Sequence, residues 1–198
     1  MMDDRATIQD FLQQQTVVSL VDSVALRQPP DKILKIGILP FIKRAGLEYF
    51  VMKPAAARAE LAAPEFQICK GTRMHYFEGI GWRDMKDGEP AEYQRELLVE
   101  TALREGREEL GLNFINIISL FDLGSYHFSS ASTGKLKQLW MFAAEVIDKS
   151  DFLPDDKIDK TTAQRQWMSS DEFAQVGRED HRPIVADIHL RLAERFKI

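Results

Sequence analysis

Residues 100–112 read ETALREGREELGL and are the most informative stretch of this 198-residue chain. Apolar residues recur there every three or four positions, which predicts a helix, and Gly111 follows as a left-handed C-terminal cap. The helix carries two costs, because like charges one turn apart repel each other and Gly106 is less favourable than alanine by about 1 kcal/mol. Both costs are explained if the glycine packs closely against a sheet while the acidic residues hold a divalent cation.

The predicted helix has two neighbouring faces. Glu105 lies one turn from both Glu108 and Glu109, so three carboxylates meet on one face. Ligands that are all oxygen favour Mg²⁺ or Mn²⁺ over zinc, and Mg²⁺ usually recruits substrate phosphates. The acidic face therefore indicates phosphate chemistry. The predicted buried face consists of Leu98, Val99, Ala102, Leu103, Gly106 and Leu110.

A second interpretation of the acidic face needs no metal. Arg104 and Arg107 would pair with Glu100, Glu108 and their neighbours on a solvated helix surface. Exposed ion pairs of this kind are common and contribute little to stability. For an arbitrary acidic helix this would be the favoured interpretation, and the wider pattern decides against it.

Residues 96–112 resemble the signature of the Nudix hydrolase family: a Glu, seven residues, then Arg-Glu-hydrophobic-x-Glu-Glu-x-Gly-hydrophobic. The fixed positions of that signature are occupied here by Glu96, Arg104, Glu105, Glu108, Glu109 and Gly111. Gly106 stands where the family usually has an aliphatic residue, which indicates close packing at that point. The resemblance implies an α/β/α sandwich with a mixed sheet between helices.

The family's opening glycine is expected at position 90, where this chain has Pro90. Gly88 lies close by, but we prefer Gly71, because FQICKG at 66–71 resembles the Lys-Gly entry of members that act on dinucleoside polyphosphates. Cys69 then stands where those members have proline. This choice makes residues 72–95 an inserted loop beside the metal site, where it would influence substrate choice.

The resemblance implies roles for five residues. Glu105, Glu108 and Glu109 would bind the metal, with the carbonyl of Gly71 as a fourth ligand. Arg104 would orient the carboxylates through charge-assisted hydrogen bonds. Glu105 is one candidate for the general base, and a residue from a loop elsewhere is the other. Glu108 is counted with Arg104 and Glu105 among the catalytic residues.

The activity implied is that of a Mg²⁺- or Mn²⁺-dependent pyrophosphohydrolase. Its substrate would be a nucleoside diphosphate linked to another moiety, such as a dinucleoside polyphosphate, ADP-ribose or a nucleotide sugar. Two other functions stay open: a non-catalytic Nudix-fold module for ligand binding or regulation, and a scaffold that dimerises through its N-terminal extension.

Residues outside the signature are weaker candidates. Lys70 and Arg73 flank Gly71 and are expected to contact a substrate phosphate, with plain surface charge as the alternative. His127 is expected to be structural. The acidic run 148–159 is interpreted as a solvated loop rather than a source of a late metal ligand.

The rest of the chain predicts one α+β domain over 33–198, preceded by a partly helical extension over 1–32. Within the extension, helix and strand interpretations compete after position 15. Residues 72–94 are predicted to be mostly loop. The other predicted elements are a hairpin over 33–54 that turns at Gly46, strands at 66–71, 116–130 and 135–147, a strand running into a helix over 165–173, and a last helix over 182–196.

Composition excludes several classes of protein. A net charge of −5 argues against a general nucleic-acid binder. The single cysteine, Cys69, excludes an internal disulfide and a multi-cysteine zinc site. The N-terminal residues contain no visible secretory signal, and no apolar run approaches the roughly 20 residues of a membrane helix. We therefore expect a cytoplasmic protein with a small-molecule partner, without nucleic-acid or membrane partners, and with a homodimer left open.

Overall fold

The computed structural model describes residues 4–20, 35–55, 65–77, 81–84, 96–129, 136–160 and 162–198. Several stretches named in the sequence analysis lie outside these residues: the later part of the N-terminal extension and the start of the hairpin at 21–34, and parts of the predicted loop at 78–80 and 85–95, with positions 88 and 90. Within the described residues, no helix is long and apolar enough to cross a membrane.

The helices are α1 (Asp4–Gln14), α2 (Leu98–Leu110), α3 (Ser170–Val176) and α4 (Arg182–Phe196). The first strands are β1 (Val17–Ser19), β2 (Lys35–Lys43), β3 (Leu47–Pro54), β4 (Cys69–Thr72), β5 (Met74–Phe77) and β6 (Gly81–Asp84). The later strands are β7 (Ile117–Ser129), β8 (Leu136–Val146) and β9 (Thr162–Ser169).

One seven-stranded sheet organises the molecule, in the order β1-β7-β8-β2-β3-β9, with β4 also paired to β2. β1 runs parallel to β7 and β2 runs parallel to β8, whereas the other pairings are antiparallel. β4 pairs with the first half of β2, and β3 pairs with its second half. The predicted mixed sheet is confirmed.

Helices cover both faces of the sheet, and β2 shows why. Successive strand residues point to opposite faces. Ile36 and Ile38 belong to the core that contains α2, whereas Leu39 and Phe41 belong to the core that contains α3 and α4. Because every one of these side chains is fully buried, the strand is apolar on both faces. This arrangement confirms the predicted α/β/α sandwich.

Both ends of α2 are capped. The Glu100 carboxylate accepts a hydrogen bond of 2.7 Å from the backbone N–H of Leu97, and Gly111 ends the helix with φ of 71°. The helix begins at Leu98, and Glu100 is buried under this cap instead of lying on a solvated face. The predicted burial of Gly106 is confirmed, and a Cβ there would lie 2.8 Å from Cγ2 of Ile38.

The stretch predicted to be mostly loop contains a second, two-stranded sheet. β5 and β6 pair antiparallel, from Met74 opposite Asp84 to Phe77 opposite Gly81. Two four-residue strands have little stability alone, and this hairpin is attached to the start of α2. The N–H of Met74 donates to the Glu96 carboxylate at 2.9 Å, and the N–H of Glu96 donates to the Met74 carbonyl at 3.1 Å. The prediction of loop is therefore wrong for β5 and β6.

The described part of the N-terminal segment packs on the rest of the molecule. Ile8 of α1 is 2% exposed and lies in the same core as α2. The Gln9 side chain donates to the Glu100 carboxylate at 3.2 Å. Beyond α1, β1 adds a parallel edge strand, with Val17 opposite Leu120. The segment thus contains both a helix and a strand.

Candidate active site

β4 and α2 meet at Gly71 and Glu105. A Cβ placed on Gly71 would lie 1.7 Å from Oε1 of Glu105. Glycine is therefore the residue that leaves room for this carboxylate against the strand. Although Gly71 and Glu105 are far apart in the chain, the fold brings the backbone of one into contact with the side chain of the other.

Arg104 holds three carboxylates and the strand together. Its Nε donates to Oε1 of Glu96 at 2.8 Å, and its Nη1 donates to Glu105 at 2.8 Å and Glu108 at 2.9 Å. Its Nη2 donates to the carbonyl of Thr72 at 2.9 Å. The Arg104 side chain is 11% exposed, so these ion pairs are largely desolvated. The interpretation of Arg104 as a solvated surface residue is therefore wrong.

Glu109 extends the acidic face along β4. Its Oε2 accepts from the backbone N–H of Lys70 at 3.3 Å. The adjacent Cys69 is fully buried, and burial together with Glu109 and Glu105 raises the pKa of its thiol well above the usual value. Cys69 is thus a neutral thiol beneath the acidic face.

The charges of these carboxylates are not fully compensated. The pKa of Glu105 is raised to about 7 in the folded protein. Burial is the largest cause; Arg104 lowers the pKa, and the charges of Glu109 and Glu108 raise it. Burial is also the main cause of the raised pKa values of Glu108 and Glu109. A cation at this face would stabilise the ionised form of all three groups.

The chemistry of the three carboxylates fits a hard divalent cation. Glu105, Glu108 and Glu109 supply only oxygen, which suits Mg²⁺ or Mn²⁺. The contact with Gly71 places the Glu105 carboxylate directly against the backbone of β4. In the part of the chain that the structure describes, no three His, Cys, Asp or Glu side chains are arranged to hold a metal. Arg104 Nη1 engages the oxygens of Glu105 and Glu108.

The two predicted phosphate contacts lie in different settings. Nζ of Lys70 donates to Gln67 at 3.3 Å, and burial, followed by the nearby charge of Arg178, lowers the pKa of Lys70 to about 8. Arg73 donates from Nε to the carbonyl of Glu96. Lys70 thus lies beside the acidic face, whereas Arg73 contributes to the attachment of the β5–β6 hairpin.

Other candidates lie away from the carboxylates or at the end of α2. His127 is exposed on β7. From the acidic run, Asp159 approaches α2, because its backbone N–H donates to the carbonyl of Glu108 at 2.7 Å. Sequence reasoning missed Arg165, which donates to the carbonyl of Leu110 at 2.6 Å. The end of α2 was the available signal for such a donor. A helix leaves its last carbonyls without partners in the helix, so another segment is expected to supply a donor there.

A family model described as the NUDIX domain matches residues 89–188. The match contains the whole of α2, including Glu105, Glu108 and Glu109. The chain therefore belongs to the NUDIX family, and the resemblance seen in the sequence is confirmed.

Solved structures agree on the fold. A NUDIX hydrolase from Nitrosomonas europaea is 18% identical, with a TM-score of 0.51, and the match covers 83% of this chain and 90% of that one. The Ap4A hydrolase of C. elegans is 13% identical, with a TM-score of 0.53 and coverage of 82% and 99%. The NUDIX domain of Shewanella oneidensis NrtR, solved with ADP ribose, is 12% identical, with a TM-score of 0.52 and coverage of 95% and 97%. At these identities the likeness shows the fold alone, and no curated protein sequence matches the chain.

Proposed function

We propose that this protein is a Mg²⁺- or Mn²⁺-dependent pyrophosphohydrolase that cleaves a nucleoside diphosphate linked to another moiety. One observation carries the proposal: Arg104 holds Glu96, Glu105 and Glu108 together while Glu105 packs directly on Gly71. A helix that only needed solubility would leave these groups in water, as surface ion pairs usually are. Membership of the NUDIX family supports the proposal.

Each residue has a distinct task in the proposed reaction. Glu105, Glu108 and Glu109 bind the cation together with the carbonyl of Gly71. When bound, the cation neutralises the diphosphate and lowers the pKa of a water that attacks phosphorus. Arg104 holds Glu96, Glu105 and Glu108 together, so that Glu105 and Glu108 would be available to the cation side by side.

Lys70 is proposed to contact the substrate phosphates. Its ammonium lies on β4 directly before Gly71, and a lowered pKa of about 8 indicates that it lacks full compensation by nearby acids. A phosphate oxygen beside Lys70 would supply that compensation. Glu105, with a pKa of about 7 in the metal-free protein, is one candidate for the general base.

The substrate class can be tested with a panel of diphosphate compounds. Purified protein is incubated with Mg²⁺ or Mn²⁺ and a dinucleoside polyphosphate, ADP-ribose, a nucleotide sugar or a nucleoside triphosphate, and phosphate-containing products are quantified. We expect hydrolysis of at least one compound, dependent on the metal. Glu108→Gln is expected to reduce this turnover at least about a hundredfold, with little change in the unfolding midpoint, because Glu108 is the most exposed of the ligands.

A matched control is Glu194→Gln on α4, which makes the same change on an exposed surface away from the carboxylates. It should retain wild-type turnover. Near-normal turnover of Glu108→Gln would contradict the proposed metal role of this residue.

The second candidate is a module that binds a ligand without cleaving it. Its support is the likeness to the NUDIX domain of Shewanella oneidensis NrtR, because that match covers 95% of this chain and the domain was solved with ADP ribose. The same panel separates the two candidates. Measurable binding of ADP-ribose without any hydrolysis across the panel would favour the binding module.

A further inference from the structure

The connection between β8 and β9 closes around the C-terminal end of α2. Glu108 and Glu109 lie in the last turn of this helix, and the carbonyls of that turn have no partners within the helix. The backbone N–H of Asp159 donates to the Glu108 carbonyl at 2.7 Å, and Oγ1 of Thr162 donates to the Glu109 carbonyl at 3.1 Å. The turn that carries two of the three carboxylates is therefore held from outside the helix.

Arg165 of β9 supplies the charged part of this contact. Its Nη1 donates to the carbonyl of Leu110 at 2.6 Å and to the carbonyl of Leu153 at 2.9 Å. Its Nη2 pairs with the exposed carboxylate of Asp155. The Arg165 side chain is only 12% exposed, so one nearly buried guanidinium joins the end of α2 to the β8–β9 connection.

The glycine that ends α2 is shaped to admit this guanidinium. A Cβ on Gly111 would lie 2.7 Å from Nη1 of Arg165 and 2.8 Å from the carbonyl oxygen of Leu153. The positive φ of 71° at Gly111 already favours glycine. Glycine is therefore required at this position for two reasons: the positive φ, and the close approach of Arg165 and of the Leu153 carbonyl.

We propose that Arg165 is a positioning residue for the metal-binding carboxylates Glu108 and Glu109. The C-terminal end of a helix carries partial negative charge, which a cation stabilises. Here the same turn also carries two partly buried carboxylates, so the repulsion would favour fraying of the turn. The Arg165 guanidinium opposes that fraying and fixes the direction in which both carboxylates leave the helix. This inference rests on the proposed function, because it assigns Arg165 to the same site.

The test compares Arg165→Met, which removes the charge, with Arg165→Lys, which retains a positive charge without the guanidinium's fork of donors. Mn²⁺ affinity is measured on the full chain by electron paramagnetic resonance of the free ion. Amide hydrogen exchange of Glu108, Glu109 and Leu110 is measured without metal. Arg191→Met is the matched control, because Arg191 also donates to a backbone carbonyl, that of Leu123, and pairs with a carboxylate, that of Asp187.

We expect Arg165→Met to weaken Mn²⁺ binding at least about tenfold, the usual effect of removing a group that orients metal ligands. Arg165→Lys should lose less affinity than Arg165→Met, because the charge at the helix end persists although the fork of donors is lost. Arg191→Met should leave the affinity unchanged. Unchanged Mn²⁺ affinity in a folded Arg165→Met protein, or equal losses in Arg165→Met and Arg191→Met, would overturn the proposal.

Hydrogen exchange keeps the test decisive if the enzyme assay fails. Faster exchange confined to the last turn of α2 in Arg165→Met, together with weaker Mn²⁺ binding, supports the positioning role even if no substrate is hydrolysed. In that case the proposed hydrolysis fails while the role of Arg165 stands. Exchange that is accelerated evenly over the whole chain would instead show a general loss of stability and would contradict a positioning role.

Discussion

At the scale of single residues, the proposed catalysis depends most on the contact between Gly71 and Glu105. Glu108 and Glu109 are close enough to raise the pKa of Glu105, and Arg104 is the cation between Glu105 and Glu108. Gly71 allows Glu105 to lie against the strand, and the ion pairs of Arg104 keep Glu105 and Glu108 close together. Both residues therefore hold the carboxylates in the positions that the proposed cation would need.

Gly71→Ala is expected to damage activity far more than stability. The new Cβ would overlap the Glu105 carboxylate, the flexible end of a long side chain, so this group can move away at little cost in folding free energy. A displacement of about 1 Å at a catalytic group can reduce turnover about a hundredfold. Turnover and the thermal unfolding midpoint are measured on the same preparation. Wild-type turnover, or a large fall in the midpoint, would contradict this account.

The raised pKa of Glu105 predicts how stability depends on pH without metal. Its pKa rises from 4.5 to about 7 in the folded protein, so the folded state binds the proton more tightly than the unfolded state. The free energy of unfolding should therefore fall as the pH rises from about 4.5 to about 7, by up to about 3 kcal/mol from this group. Urea unfolding at pH 5 and pH 8, in the presence of a chelator, measures the fall.

Glu105→Gln should make this pH dependence shallower, because the substituted side chain does not ionise. Added Mg²⁺ should restore stability at pH 8 in the wild type more than in Glu105→Gln, since the cation binds the ionised carboxylate. An identical pH dependence of the two metal-free proteins would show that Glu105 does not titrate in this range.

At the scale of elements, α2 packs on β2 through Gly106. A Cβ at this position would lie 2.8 Å from Cγ2 of Ile38 and 3.2 Å from Cδ2 of Leu112. The glycine therefore sets the distance between the helix and the sheet, and with it the distance between the carboxylates and β4. This explains why the chain accepts glycine where its family usually has an aliphatic residue.

Gly106→Ala should lower the free energy of unfolding. Alanine favours the helix by about 1 kcal/mol, whereas overpacking costs about 1 to 3 kcal/mol, so we expect a net loss on the order of 1 kcal/mol. Urea unfolding of the single variants Gly106→Ala and Ile38→Ala and of the double variant measures the coupling. The double variant should lose less than the sum of the two single losses. A Gly106→Ala protein more stable than the wild type would show that helix propensity alone decides.

The elements that could be predicted from the sequence are those with a strong local pattern. The spacing of α2 and the turn at Gly46 were visible, because each depends on neighbouring residues. The β5–β6 hairpin was not visible, because its strands are short and its attachment depends on Glu96, about twenty positions away along the chain. Arg165 was missed for the same reason, since its partners Leu110 and Leu153 lie on other elements.

At the scale of the whole molecule, the sheet brings distant segments to one end of α2. β4 supplies Gly71 and Lys70, α2 supplies the carboxylates, and β9 with its preceding connection holds the end of the helix. On the opposite face of the sheet, α3 and α4 complete the second core. The signature in the sequence identified the carboxylates, but their position relative to Gly71 and Lys70 depends on how the strands pair in the sheet.

The most direct test of the central claim is the location of Mn²⁺ in a crystal of the wild-type protein, measured by anomalous scattering. We predict a peak bound by Glu105, Glu108 and Glu109 and by the carbonyl of Gly71, at about the 2.0–2.2 Å expected for hard cations and oxygen. Glu105 and Glu108 would then have turned in part from Arg104 towards the ion. A fully occupied Mn²⁺ site elsewhere, with all three carboxylates still in their present positions, would contradict the account.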